Sequence, residues 1–290
     1  MRSNFQESAK LIVLEDDFFW QDQLVKLAED RESLLYSKRD FLYGSGVWRE
    51  RPVRALTQRR QESIDTVILG HSDFPLSCVD LFHLKRKIRP RRIFASNLSC
   101  GFKPATLFNA RPIPLGLTNP TRESFAHTVL GNAAHFALAY DLTPSVAAQG
   151  EERLYINFTT RNAPRDRESA LKIAENSAFA MIRTPEISNR GRVRYLSEIR
   201  KNGLVVCPAG NGLDTHRFYE TLLMGALPVV LKHSYSDRLA RHLELPCIAI
   251  SSWRDLLKID QLREKASLVR NRPFTLKALR GSHWRAEIAG

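Results

Sequence analysis

The stretch Gly203-Leu-Val-Val-Cys-Pro-Ala-Gly-Asn-Gly-Leu-Asp-Thr-His-Arg-Phe-Tyr-Glu-Thr-Leu-Leu-Met-Gly-Ala-Leu-Pro-Val-Val-Leu231 leaves few folds open. Its apolar run Leu204 to Cys207 reads as a buried strand, Thr215 to Met224 as a helix, and Leu227 to Leu231 as a second buried strand. Strand, helix and strand in this order form a βαβ unit, the building block of α/β folds. Between the first strand and the helix lies Pro208 to Gly212, whose two glycines let the backbone approach a ligand and take φ > 0 where needed. Asp214 is the expected N-cap, and Gly225 ends the helix as its C′ residue ahead of Pro228.

A helix N-terminus behind such a loop presents amide N–H groups and a positive dipole end, which is the description of an anion site and most often of a phosphate site. Arg217 and Glu220 stand three residues apart and share one helix face, while Phe218 and Leu222 share another that can face the core. A guanidinium one turn into the helix can reach a diphosphate, and a carboxylate one turn deeper can accept hydrogen bonds from a ribose diol. The plainer alternative is that Arg217 and Glu220 form an intrahelical ion pair.

The block Cys207 to Val230 resembles the signature of exostosin-type glycosyltransferases, including their ribitol xylosyltransferase branch. The resemblance implies an α/β protein of two Rossmann-like domains facing each other across a cleft, the GT-B architecture. The carboxy-terminal domain would hold a nucleotide sugar, expected to be a UDP-sugar. It further implies that the segment Gly210, Asn211, Gly212, Leu213 and Asp214, together with Arg217, faces the diphosphate, and that Glu220 faces the ribose. A second, shorter likeness to the same group lies in Ile113-Pro-Leu-Gly-Leu117, a turn that such enzymes place at the inter-domain cleft.

With 290 residues, the chain has room for two domains of ordinary size. A hydrophobic content of 43% and a charged content of 26% are those of a soluble globular protein. No apolar run approaches the roughly 20 residues that a membrane span requires. The stretch from Met1 to Lys10 lacks the layout of a signal peptide, so a cytoplasmic location is expected. Cys78, Cys100, Cys207 and Cys247 are scattered, which argues against a disulfide framework or a zinc site. The net charge of +13 calls for an anionic partner: a nucleotide, a phosphorylated acceptor, a lipid headgroup surface at the inner face of the membrane, or nucleic acid.

Along the first half, Lys10 to Leu14 reads as a short buried strand, and Phe18, Phe19, Leu24, Leu27, Leu34 and Leu35 recur at helical spacing up to about Tyr36. Trp48 to Arg60 is arginine-rich and reads as a solvated loop and helix face, with an acceptor or membrane contact as the alternative. Thr66 to Gly70 is a further strand, ending in His71-Ser72-Asp73, where open α/β sheets bind ligands. The basic cluster Lys85 to Arg92 leads into the strand Ile93 to Ala95, and a helix-like stretch runs from about Arg122 to Tyr140. Thr143 to Gly150 has linker composition, which divides the chain into an acceptor domain, 1–145, and a nucleotide-sugar domain, 151–271. The tail, 272–290, is expected to pack back on the first domain.

The second domain opens with the strand Arg153 to Phe158, followed by an arginine-bearing loop. This arrangement resembles the family's strand-then-arginine segment that faces the sugar-nucleotide phosphates. Arg161 and Arg167 are both candidates, and spacing does not choose between them. Leu245 to Trp253 supplies another strand and the start of a helix.

Glycosyl transfer needs a neutralised leaving diphosphate, an aligned acceptor hydroxyl and a base for its proton. Loop amides, helix dipole and Arg217 answer the first need. The sequence contains no Asp-X-Asp triplet, so no metal is expected at the donor site and no cofactor beyond the nucleotide-sugar substrate. The candidate bases are Asp73 and His71 on the first domain and His216 in the signature block. The resemblance implies inversion at the anomeric carbon; the acceptor is expected to be a glycan or polysaccharide hydroxyl, and the positive charge suits a peripheral membrane contact with a lipid-linked glycan as acceptor. Two other classes compete. An NAD(P)-binding oxidoreductase is suggested by Gly210-Asn-Gly-Leu-Asp-Thr215, but Thr215 replaces the third glycine and Lys232-His233 stands where an acidic ribose ligand belongs. A nucleic-acid-binding protein is suggested by the charge, but the arginines are dispersed and fit no familiar recognition module.

Overall fold

The described residues form two parallel sheets and helices packed around them. The computed structural model describes residues 5–15, 17–19, 34–36, 66–70, 73, 75–117, 133–144, 152–161 and 163–289. In chain order the first elements are α1 (Phe5–Glu15), β1 (Leu34–Tyr36), β2 (Thr66–Leu69), α2 (Cys78–Lys87), β3 (Arg92–Ala95), α3 (Phe102–Thr106), β4 (Ala110–Pro112) and α4 (Ala133–Leu142). These are followed by β5 (Arg153–Ile156), α5 (Pro164–Ala174), β6 (Ala180–Ile182), α6 (Asn189–Asn202), β7 (Gly203–Val206), α7 (His216–Leu223) and β8 (Leu227–Leu231). The last are α8 (Tyr235–His242), β9 (Ile248–Ile250), α9 (Ile259–Arg270) and α10 (Gly281–Ala289), with 3₁₀ turns at Trp253–Leu257 and Lys277–Leu279.

The first sheet has the order β1-β2-β3-β4 and the second β6-β5-β7-β8-β9. Each pairing of these strands is parallel, with Val67 opposite Ile93 in one sheet and Val205 opposite Pro228 in the other. Parallel strands are covered on both faces, so they read as continuous apolar runs; all four residues of β2 and of β7 are buried. The expectation of an α/β protein is met. Local signals set the helix ends. Ser77 and Asp80 form a capping box at the start of α2. Gly203, at φ 76°, closes α6 and turns the chain directly into β7.

The core follows the sheets. Val67, Leu69, Ile93 and Ala95 pack with Leu81 and Leu84 of α2 in one cluster. The larger cluster surrounds the second sheet but also takes in Ala9, Ile12 and Val13 of α1 and Phe136 and Ala139 of α4. Gln6 Nε2 donates to the Gly225 carbonyl at 3.0 Å, and Tyr140 Oη to the Leu223 carbonyl at 2.6 Å. Helices that precede the second sheet in sequence therefore pack on its outer helices. The tail meets the start of the chain: Phe19 N donates to Leu279 O at 2.8 Å, and Ser282 N to Asp17 Oδ1 at 2.8 Å.

Two expectations are corrected. Lys10 to Leu14 belongs to α1 and not to a strand. Ala9, Ile12 and Val13 are buried while Leu11 and Leu14 are exposed, so the apolar run contains a helical stripe that a five-residue window cannot distinguish from a strand. Leu34 to Tyr36, placed at the end of a helix by its leucine spacing, forms β1, paired with Val67 to Leu69. The arginine-rich segment Trp48 to Arg60, His71 and most of the linker lie outside the described residues. Among the described residues, no helix is long and apolar enough to cross a membrane.

Candidate functional site

The carboxyl ends of both sheets meet at the loop between β7 and α7, residues 208–215. In open α/β sheets ligands bind at this end of the strands. Asp166 and Arg167, in the first turn of α5, grip the loop at Ala209. Its N–H donates to Asp166 Oδ2 at 3.2 Å, and its carbonyl accepts from Arg167 Nε at 2.9 Å. Asp166 is steadied by Trp253 Nε1 at 2.7 Å, and Arg167 Nη1 also donates to the Thr159 carbonyl at 3.0 Å. Both contacts on Ala209 are with main-chain atoms, so the loop conformation is set independently of its side chains.

Arg217, in the first turn of α7, donates through Nη2 to the Asn157 carbonyl at the end of β5. Its guanidinium carbon lies 5.5 Å from the Phe158 ring centroid, and that of Arg167 lies 5.6 Å from the same centroid. Two guanidinium groups thus share one aromatic ring beside a glycine loop. Among the described residues neither has a carboxylate within ion-pair distance, and the buried Arg217 Nε has no hydrogen-bond partner. Burial, then the charge of Arg217, hold the Arg167 pKa down to about 10, so Arg167 remains a cation at neutral pH. Arg217 itself lies above the ordinary arginine value, since neighbouring groups that include Glu220 outweigh its burial, whereas Arg167 feels the repulsion of Arg217, which an arriving anion would relieve.

The glycines serve different neighbours. A Cβ at Gly212 would lie 2.9 Å from Asn97 Nδ2 and 3.1 Å from the Asp73 carbonyl oxygen, so this residue is small because the first sheet's loops press on it. A Cβ at Gly210 would meet Asp214 O at 3.4 Å and Arg167 Nη2 at 3.7 Å, ordinary to slightly tight contacts. Gly210, Leu213, His216 and Arg217 are half-buried, and Asn211 is exposed.

Asp214 is not the N-cap. Thr215 occupies that position with extended backbone, and Asp214 turns its carboxylate inward. Oδ1 accepts from Thr215 N at 2.8 Å; Oδ2 accepts from Leu115 N at 2.9 Å and from the Tyr219 hydroxyl. Its own N–H donates to Asn97 Oδ1 at 2.8 Å. Burial raises the Asp214 pKa to about 6 against these three hydrogen bonds. The residue that sequence offered as a helix cap is therefore a clamp between the two sheets, a role that depends on Leu115 and Asn97 and that no local pattern could show.

His216 Nδ1 lies 2.8 Å from the Gly116 carbonyl. A carbonyl only accepts, so this nitrogen carries the proton and the basic lone pair of a neutral ring is on Nε2. Gly116, at φ 66°, lies against Phe19, which leaves no space for a Cβ. Asp73 is half-buried, with its main chain against Gly212. Arg161 is exposed on the turn after β5.

Glu220 does not pair with Arg217. Its Oε1 accepts from Arg192 Nη2 and its Oε2 from Tyr195 Oη at 2.8 Å, both on α6. Arg192 and Glu220 are 3% and 4% exposed, which makes this a buried ion pair. Burial acts to raise the Glu220 pKa, but the charge and hydrogen bond of Arg192 outweigh it, and the group lies below the ordinary glutamate value. Arg192 stacks on Tyr195, its guanidinium carbon 4.9 Å from the ring centroid. Sequence reading missed Arg192, Tyr195 and Asp166. The available signal was the stripe Arg192, Tyr195, Leu196 and Ile199, which puts a charge on the buried face of α6.

Comparison with known families decides what the block resembles. Residues 181–275 match the RXYLT1 C-terminal domain family. The matched span runs from β6 past α9 and includes the loop, α7 and the Arg192–Glu220 pair, in agreement with the resemblance carried by Cys207 to Val230. A comparison with curated proteins found no match.

Proposed function

We propose that the chain is a glycosyltransferase that moves a sugar from a nucleoside-diphosphate donor, a UDP-sugar, to a hydroxyl of a glycan acceptor. The observation that carries this reading is the pair Arg167 and Arg217 converging on Phe158 beside the 208–215 loop. The similarity of residues 181–275 to the RXYLT1 C-terminal domain supports it. A GT-B arrangement, with the acceptor bound by the first sheet's loops, follows from the same reading.

In this mechanism Arg167, Arg217 and the amides at the start of α7 stabilise the charge that develops on the departing diphosphate, without metal assistance. Preorganised donors of this kind act more strongly in the transition state than on the bound sugar nucleotide, and so lower the barrier. Asn211 and Leu213 flank the donor, and Arg161 adds charge from the turn after β5. Glu220, expected to face the ribose, is 4% exposed with its two carboxylate oxygens bound by Arg192 and Tyr195, so its part is to hold α7 against α6. Asp73, His71 and His216 are the candidate bases; His216 has its ring orientation set by Gly116 O, and Nε2 would take the acceptor proton. Attack from the face opposite the diphosphate inverts the anomeric carbon.

A thermal-shift screen tests the activity class. At a concentration about 100 times its Kd, UDP stabilises the folded chain by about 2.7 kcal/mol, which raises Tm by roughly 5 °C or more. NAD and short oligonucleotides at the same concentration are expected to leave Tm unchanged. Stabilisation by NAD alone would point to an oxidoreductase and remove the reading.

A further inference from the structure

The cluster Lys85 to Arg92 has no part in the donor site, yet it places six basic residues in eight positions with no acid among them. The structure turns Lys85 inward, where Nζ donates to the Pro90 carbonyl at 2.5 Å. Arg86, Lys87, Arg89 and Arg91 are exposed. Along α2, Leu81 and Leu84 face the core, whereas Val79 and Phe82 are 61% and 52% exposed. Val79, Phe82 and Arg86 follow one another at i, i+3 and i+7 and share a single outer stripe. Leu107, 84% exposed, lies on the turn after α3. Asn109 on the same turn donates through Nδ2 to the Arg91 carbonyl at 3.2 Å, which ties this turn to the basic segment that follows the helix.

Single exposed apolar side chains are ordinary, but Val79 and Phe82 stand together on one stripe that runs into cations, which marks a contact surface. We infer that the outer face of α2, with the Leu107 turn, docks on an anionic lipid surface, Val79, Phe82 and Leu107 entering the acyl boundary while Arg86, Lys87 and Arg89 meet the headgroup phosphates. Charge complementarity accounts for the cations, and a phosphate-bearing polymer such as RNA would satisfy them equally. A bilayer also takes up Val79 and Leu107, aliphatic side chains that cannot stack on bases. The combination of an apolar anchor with a basic patch is the two-signal arrangement that makes peripheral binding stable.

Co-sedimentation of the full chain with vesicles tests this. Binding is expected to phosphatidylcholine vesicles containing phosphatidylglycerol, and not to phosphatidylcholine alone. Each basic side chain near an anionic surface strengthens binding roughly fivefold, so Arg86→Gln with Arg89→Gln should weaken it roughly 30-fold. Phe82→Ser should weaken it at least about tenfold, with less dependence on salt than the charge variant shows. These side chains are exposed, so the variants should melt at the wild-type temperature. A double variant of equal charge change on the second sheet's helices, Arg254→Gln with Lys265→Gln, should bind as wild type. The proposal is overturned if that control loses as much as the α2 variant, since net charge alone would then explain binding. It is also overturned if the chain ignores vesicles, or if Arg86→Gln with Arg89→Gln abolishes RNA binding while vesicle binding persists.

Discussion

Glu220→Ala is expected to destabilise the folded chain by about 3–5 kcal/mol, because it leaves the Arg192 cation buried without its counter-charge. Arg192 is 3% exposed and its Nε has no hydrogen-bond partner, so its guanidinium relies on Glu220 and on the Tyr195 and Phe136 rings. Tyr195 would lose its acceptor in the same step. For a chain of this size the change corresponds to a fall in Tm of order 10 °C. Urea denaturation of Glu220→Ala measures it, and Glu220→Leu, Arg192→Leu and the double variant of those two substitutions close a cycle around the pair. The double variant should be clearly more stable than the single-variant losses would give on addition, since apolar side chains of similar volume replace a buried ion pair at little cost. Additive losses would show that the two residues do not act as a pair.

That pair marks the limit of what the sequence discloses. The βαβ block was legible because each of its signals is local: apolar runs for β7 and β8, Gly225 at positive φ after α7, and helical spacing in between. Elements were misread where a short apolar run fits two periods, as at Lys10 to Leu14, or where leucine spacing was met by chance, as at Leu34 and Leu35. The roles of Asp214 and Glu220 were hidden for another reason. Their partners, Leu115 and Asn97 for one and Arg192 and Tyr195 for the other, are 25 residues or more distant in sequence. Gly212 makes the same point: its smallness reflects the side chain of Asn97, which belongs to the other sheet.

Arg217→Ala is expected to reduce affinity for a nucleoside diphosphate by about 100-fold or more. Hydrogen bonds to a charged partner contribute about 1.5–3 kcal/mol each, and a guanidinium can supply two to one diphosphate. The fold should tolerate the change. Removal of the repulsion from Arg167, whose pKa that neighbour depresses, works against loss of the bond to the Asn157 carbonyl and of the attraction to Glu220. Arg217→Lys keeps the charge but not the planar fork, and should recover only part of the affinity. Titration calorimetry with UDP on the three proteins, alongside their urea curves, separates binding from folding. Wild-type affinity in Arg217→Ala would remove this residue from the donor site.

A crystal structure of the chain grown with UDP in the presence of a metal chelator tests the central claim most directly. The account predicts a diphosphate at the start of α7, within hydrogen-bond distance of Arg217 and of main-chain amides of residues 210–217, with Arg167 on its other side. A nucleotide bound elsewhere on the chain, or one that leaves both guanidinium groups on Phe158 untouched, would contradict it.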